Sequence, residues 1–266
     1  NTSAPATDTS DAILAINMDD GSLAWKFQAT ENDIFLTGCM REPNGPNCPP
    51  DYSINLDVDF GAAIMLAQRR DGSDLVLAGQ KSGVVWALEP DSGELVWNTK
   101  IGPGGASGGI HWGMAFDGEN IYAPNNLSTG PTADGADPGL FALDVNTGAI
   151  EWEYHHTPDC SGNRRENLPS CDRNWGMSAA TVLVDGAVVQ GSNDGYVKVF
   201  DSQSGEPIFT YDTARTFNTL NGVEAKGGAI DNFSIWAANG TLFVQSGYGL
   251  MGIPGNVLLA FKPATP

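Results

Sequence analysis

Short apolar runs of five or six residues alternate with tight polar turns along most of this chain, and the pattern predicts strands almost throughout. The clearest stretch is Ala87-Leu88-Glu89-Pro90-Asp91-Ser92-Gly93-Glu94-Leu95-Val96-Trp97. An apolar run enters a turn that closes on Gly93, and a second run leaves it with Leu95 and Trp97 on one face. Gly93 can take the positive φ such a turn needs, and Asp91 and Ser92 can bond the turn amides. This is a hairpin.

The same hairpin occurs four times. Ala15 to Gly21 leads to Trp25, and Ala87 to Gly93 leads to Trp97. Ala142 to Gly148 leads to Trp152, and Val199 to Gly205 leads to Phe209. A fixed motif at this period, with an aromatic always four residues past the glycine, marks a repeat array of β-propeller blades. The repeat makes residues 1–266 one partial propeller domain. It has half a blade at 11–28, whole blades at 61–100, 108–155 and 177–212, and three strands of another at 228–262. The first strands of the later blades are expected at Ala62–Gln68, Ile110–Phe116, Ser178–Val184 and Ala229–Ala237. No helix-period segment of useful length interrupts them. The fold class is all-β. The insertion from Ala29 to Asp59 is long for a compact repeat, and such loops more often carry function than not.

Composition narrows the partners. With 13 basic and 32 acidic residues the net charge is −19, which argues against nucleic acid or an anionic membrane. An acidic surface suits a soluble protein in a salty medium, or one that docks a basic redox partner. No segment reaches eighteen uninterrupted apolar residues, so no membrane span is expected. Asn1 to Ser10 is polar and reads as a processed or truncated end. The four cysteines form two local pairs, Cys39 with Cys48 and Cys160 with Cys171, each in a loop without histidine at metal-ligand spacing. Two local disulfides in an oxidising compartment fit this better than zinc.

The turn motif A-x-D-x-x-[ST]-G-x-x-x-W resembles the tryptophan-docking repeat of quinoprotein alcohol dehydrogenases, eight-bladed propellers that bind pyrroloquinoline quinone. Two further groups of residues resemble the polyvinyl-alcohol-dehydrogenase-like branch. One is Asn221 to Gly228 with Ser246-Gly247-Tyr248 and Pro254 to Phe261. The other is Asp59-Phe60-Gly61 with Ala78-Gly79-Gln80-Lys81-Ser82-Gly83. The resemblance implies about four of the eight blades, the C-terminal half of the ring, with the N-terminal half as partner in the same or a separate chain. It implies oxidation of polyvinyl alcohol or other secondary or primary alcohols, in the periplasm or outside the cell. The cofactors would be pyrroloquinoline quinone and Ca²⁺, the metal's ligands lying mostly outside this chain, and a c-type cytochrome would take the electrons.

The resemblance also implies site residues. Lys81 stands where the family places a cation over the quinone's reactive carbonyl, although Lys81-Ser82-Gly83 also makes a good solvated turn. His111 and Trp112, in Gly108-Gly109-Ile110-His111-Trp112-Gly113, match a cofactor-contacting segment that has Asn where this chain has His. Asn174 and Trp175 open the next blade in a similar place. The usual base position falls on Leu36, which cannot accept a proton. Asp33 is the nearest carboxylate, with Asp57 and Asp59 as candidates from the insertion; Asp33 could equally cap its loop. The competing expectations are a non-catalytic propeller scaffold, as in outer-membrane assembly lipoproteins, and a sensor that binds quinone without turnover.

Overall fold

The computed structural model describes residues 7–36, 38–39, 42, 45–46, 48, 57–127, 138–168, 171, 175–249 and 252–263. Half a blade comes first, β1 (Ala12–Ile16) paired with β2 (Leu23–Gln28). The second blade is β3 (Met65–Gln68), β4 (Asp74–Gly79), β5 (Val84–Leu88) and β6 (Leu95–Lys100), each antiparallel to the next. The third is β7 (Ala115–Phe116), β8 (Asn120–Leu127), β9 (Gly139–Asp144) and β10 (Ile150–His155). A helical turn, α1 (Arg164–Asn167), and the two-residue β11 (Trp175–Gly176) follow. The fourth blade is β12 (Val182–Val184), β13 (Ala187–Gly191), β14 (Tyr196–Asp201) and β15 (Pro207–Asp212). A separate hairpin, β16 (Thr216–Asn218) with β17 (Glu224–Lys226), precedes β18 (Ile235–Ala238), β19 (Thr241–Ser246) and β20 (Val257–Phe261).

The repeated turn builds the same geometry four times. Gly21, Gly93, Gly148 and Gly205 all have φ between 70° and 74°. Each glycine N–H bonds back to the carbonyl four residues earlier, at 2.8–3.0 Å. In the last two copies Asp144 and Asp201 hold the turn, their Oδ1 atoms accepting from the amides two and three residues on. The register slips at the same step in every copy, Ala15/Ile16, Ala87/Leu88, Ile150/Trp152 and Val199/Phe200, as a bulge beside a left-handed glycine requires.

That turn is also the joint between blades. Trp25 donates from Nε1 to Pro90 O at 2.7 Å, Trp97 to Val145 O at 3.1 Å and Trp152 to Ser202 O at 2.9 Å. Each indole lies flat on the next blade's turn glycine. Leu75, Leu77, Val85, Ile121 and Leu143 are sealed between blades two and three. Tyr122, Leu140, Val188 and Phe200 fill the next gap, and Val189, Val197, Ile230 and Val244 the one after.

The innermost strands are shorter than expected: Met65–Gln68, Ala115–Phe116, Val182–Val184 and Ile235–Ala238. Ahead of three of them the chain also bonds sideways to the preceding blade. Ile110 N–H reaches Gln80 O, Met177 N–H reaches Asn125 O and Ile230 N–H reaches Ser192 O. Trp175–Gly176 likewise pairs with Leu127 and Asn126 of β8, in the preceding blade.

Antiparallel order sends the first and third turns of each blade to one end of its sheet, and the second turn and the connection to the next blade to the other. The described residues of the connections at 29–64, 101–114, 156–181, 213–234 and 247–256 therefore share one face, with the Gln80–Gly83 and Ser192–Gly195 turns among them. Both cysteine pairs are bonded there, Cys39 to Cys48 and Cys160 to Cys171. Cys171 is buried with Leu168, Ala214, Ala229 and Ile253, which fastens its loop to the last two blades.

Candidate active site

The loop-bearing face places one polar residue from each blade at a matching register. Lys81 N–H bonds to Asp59 O, Asn126 N–H to Gly109 O, Asn193 N–H to Gly176 O and Tyr248 N–H to Ala229 O. The Asn193 Nδ2 amide donates to Asn126 Oδ1 at 3.0 Å.

Lys81 is held inside the site. Its side chain is 12% exposed, with Nζ 2.8 Å from Asp59 Oδ2 and 3.2 Å from Asp57 Oδ1. Burial works against its charge, but the two carboxylates outweigh burial and raise its pKa. Burial likewise pushes Asp59 up, yet Lys81 holds it below the usual carboxylate range. Asp57 goes the other way, to about 6, through burial and its hydrogen bond with Asp59, against the pull of Lys81. Asp11, from the edge of the half-blade, is hydrogen-bonded to Asp59. Burial and the charge on Asp33 push it to about 7. Two carboxyl groups thus face one ammonium, and Asp11 joins them through Asp59.

Asp33 has a different place. It is buried; Oδ2 accepts from Val58 N at 2.7 Å and Oδ1 from Phe35 N at 3.3 Å. Its carboxylate fixes the segment that carries Asp57 and Asp59. Leu36 lies half exposed beside the Cys39–Cys48 loop.

His111 and Trp112 lie side by side, their rings stacked at 4.6 Å with 10° between planes. Burial first and the Lys81 charge second lower the His111 pKa, so the imidazole is neutral near pH 7. The backbone of His111 packs on Gly61, where a Cβ would come within 2.6 Å of its carbonyl oxygen. Trp112 Nε1 and Ser178 Oγ are buried with no partner among the described residues, so donors remain for a bound molecule's oxygens. A planar cofactor with carbonyl groups fits these unsatisfied donors, with the ammonium of Lys81 near His111. Asn174 and the Trp175 side chain lie outside the described residues. Among the described residues no group of three His, Cys, Asp or Glu side chains is arranged to hold a metal.

The chain thus brings Lys81, Asp57, Asp59, His111 and Trp112 together. Sequence reasoning missed Asp11 and the register of Tyr248. Asp11 offered little signal, because its carboxyl reaches Asp59 only once the insertion folds back.

Comparison with known proteins agrees with this architecture. Residues 10–254 match the PQQ_2 family, described as outer membrane protein assembly factor BamB. A polyvinylalcohol dehydrogenase of Sphingopyxis sp. (strain 113P3) is 34% identical over 278 residues, covering 96% of this chain and 40% of that protein. The chain therefore spans about two fifths of the length of this curated relative. A quinohemoprotein alcohol dehydrogenase from Pseudomonas putida HK5 superposes with a TM-score of 0.61 at 14% identity, over 96% of this chain and 45% of its own. BamB from Moraxella catarrhalis gives 0.50 at 16% identity, over 98% and 61%. Sequence match and blade geometry agree: the chain belongs to the PQQ_2 family of β-propeller proteins.

Proposed function

We propose that this chain is the part of a quinoprotein alcohol dehydrogenase that polarises the reacting oxygens and takes the hydroxyl proton. The observation that carries the reading is the ammonium of Lys81, sequestered 2.8 and 3.2 Å from Asp59 and Asp57 on the loop-bearing face. Lys81 keeps its proton because both carboxylates hold it, and a fixed cation there stabilises negative charge as it develops on an oxygen. Asp57 is the proton acceptor. Its raised basicity suits a general base near neutral pH better than Asp59, which Lys81 keeps ionised and weakly basic. Asp33 is a positioning residue, holding the Val58 amide and with it the segment between the two acids. Neutral His111 donates a hydrogen bond without adding charge. Bound pyrroloquinoline quinone would supply the hydride acceptor. Lys81, His111, Trp112 and Ser178 are the residues of this chain that would hold it, with Asn174 and Trp175 as further candidates from the family pattern.

The substrates are secondary or primary alcohols, polyvinyl alcohol among them, as the relative's name supports. Ca²⁺ with ligands mostly in the remaining part of the ring, a c-type cytochrome acceptor and a periplasmic or extracellular setting belong to the same proposal. The rival reading, a binding scaffold, draws on the BamB description. One experiment separates them. Full-length protein is reconstituted with pyrroloquinoline quinone and Ca²⁺, and dye reduction by secondary alcohols is followed against pH. Turnover should rise as pH passes through about 6, where Asp57 loses its proton. Asp57→Asn should cost about 10²–10⁴-fold in kcat, and Lys81→Ala should abolish turnover with an unchanged circular dichroism spectrum. No quinone binding and no dye reduction by the wild type would leave the scaffold.

A further inference from the structure

Three blade joints are built on an alanine beside a tryptophan, and the fourth is not. Leu77, Ala87 and Trp97 stand side by side across the second blade, and Tyr122, Ala142 and Trp152 across the third. The half-blade pairs Ala15 with Trp25. In the fourth blade the row is Val189, Val199 and Phe209. The indole is gone and a valine stands where the third blade has Tyr122; only the change from alanine to valine adds bulk back.

A hydrogen bond is lost with the indole. Trp25, Trp97 and Trp152 donate to the carbonyls of Pro90, Val145 and Ser202, each two residues past Leu88, Leu143 or Phe200 of a third strand. Phe261 holds that place in the last blade, paired with Leu242 as Phe200 is with Val188, so Pro263 O is the matching acceptor. Phe209 has no side-chain N–H to give it. Its ring meets Phe261 only edge-on, at 6.1 Å, and Phe209 is left 43% exposed where Trp97 is 9% exposed. A cavity of about 530 Å³ opens here, with Val184, Val199, Phe209, Leu242, Phe261 and Pro263 in its walls. It lies beside the Asn239-Gly240 turn, at the end of the sheets away from Lys81.

We propose that this cavity binds a planar aromatic molecule with a ring N–H or O–H, an indole or a phenol, whose ring takes the place of the missing tryptophan and whose donor meets Pro263 O. The volume lies within the range of about 300–1,000 Å³ usual for small-molecule sites, which share apolar walls and a few directing polar groups. The sister joints show what the space is shaped for. In each, a flat ring with a single donor covers apolar surface and pairs a carbonyl. A purely hydrocarbon ring would cover the same surface but bury the carbonyl without a partner. Bound there, the aromatic molecule ties the last blade to the fourth. The site stands apart from Lys81 and does not depend on the alcohol-oxidation reading.

The test follows indole by saturation-transfer NMR on the full-length protein without added cofactor. Saturation should pass to indole in the wild type. 1-Methylindole keeps the ring but loses the N–H, and should bind about three- to tenfold more weakly. Phe209→Trp restores the protein's own indole to the joint; it should raise the melting temperature and weaken indole binding by about tenfold or more. Leu242→Phe fills the cavity from the last blade's side and should weaken binding likewise, so the outcome does not hang on how one variant folds. Circular dichroism checks the fold of each. No transfer to indole in the wild type would overturn the site, whether or not Phe209→Trp gains stability, because the gap would then be a packing flaw or be covered by protein. So would binding unchanged in both folded variants, which would place indole elsewhere. Equal affinities for indole and 1-methylindole would overturn the pairing with Pro263 O, and with it the choice of ligand class.

Discussion

Asp11 shows how one side chain can report on the whole charged cluster. Its backbone sits at φ 46°, a conformation Asp and Asn tolerate better than most residues, and its carboxyl reaches across to Asp59. Burial, then the charge on Asp33, then the hydrogen bond with Asp59 raise its pKa from 3.8 to about 7. A carboxyl whose folded pKa lies above its unfolded value binds its proton more tightly in the native state. The stability it contributes is full below pH 4 and is lost as pH rises to 7 and beyond. Asp57 acts in the same direction up to about pH 6, whereas Asp59, held low, contributes stability that is lost only as pH falls below 3.8. Asp11→Asn keeps the shape and the left-handed backbone but removes the ionisation. Its melting temperature should exceed the wild type's at pH 8, with the gap closing at pH 4.5, as followed by circular dichroism. Equal gaps at the two pH values would mean that Asp11 ionises freely and stands apart from the cluster.

The docking hairpin is the element on which the fold turns. At Gly148 a Cβ would lie 2.4 Å from Trp97 Cε3, at φ 70°, whereas at Gly72, φ 88°, nothing lies within 4 Å. Gly72→Ala should cost only the left-handed backbone, about 1–2 kcal/mol. Gly148→Ala adds the displaced indole, a further 1–3 kcal/mol or so, and denaturant melts of the pair give the difference. Equal losses would show that the indole is not clamped to its glycine. This hairpin was legible because each of its parts demands a residue type: a glycine for positive φ, an acid to hold the turn amides, a Trp to lie on the glycine. Other elements left weaker marks. The innermost strands looked three to five residues longer than they are; in the third blade Ile110 and Met114 pack on Gly79 of the preceding blade, ahead of the residues that form the strand. The β16–β17 hairpin carries an Asn221-Gly222 turn signal, but its strands are only three residues each. The cluster of Asp11, Asp57, Asp59 and Lys81 was half legible. Lys81 stood out in a chain poor in cations, but no period links Asp11 to Asp59; the folded insertion brings them together.

For the whole molecule the dominant long-range term is charge. Thirty-two acids and thirteen bases leave a net −19, and many of the acids sit fully exposed, as Asp8, Asp20 and Asp71 do. Like charges crowd together on folding, so their repulsion acts against the compact state. Salt shortens the reach of that repulsion, from about 30 Å at 0.01 M to about 3 Å at 1 M. Salt also weakens exposed pairs such as Lys26–Asp8, but these are individually worth little, whereas the Lys81–Asp57 pair is screened less because both side chains are shielded from solvent. The imbalance decides the sign. The melting temperature should climb by several degrees between 10 and 500 mM NaCl, most steeply at the low end where the screening length changes fastest. Sodium sulfate compared with chloride at equal ionic strength separates screening from its general effect on apolar burial, since only the part common to both salts is screening. A melting temperature that stays flat or falls with chloride would mean that the acids are already neutralised pairwise, and that the surface is laced by ion pairs instead of being self-repelling.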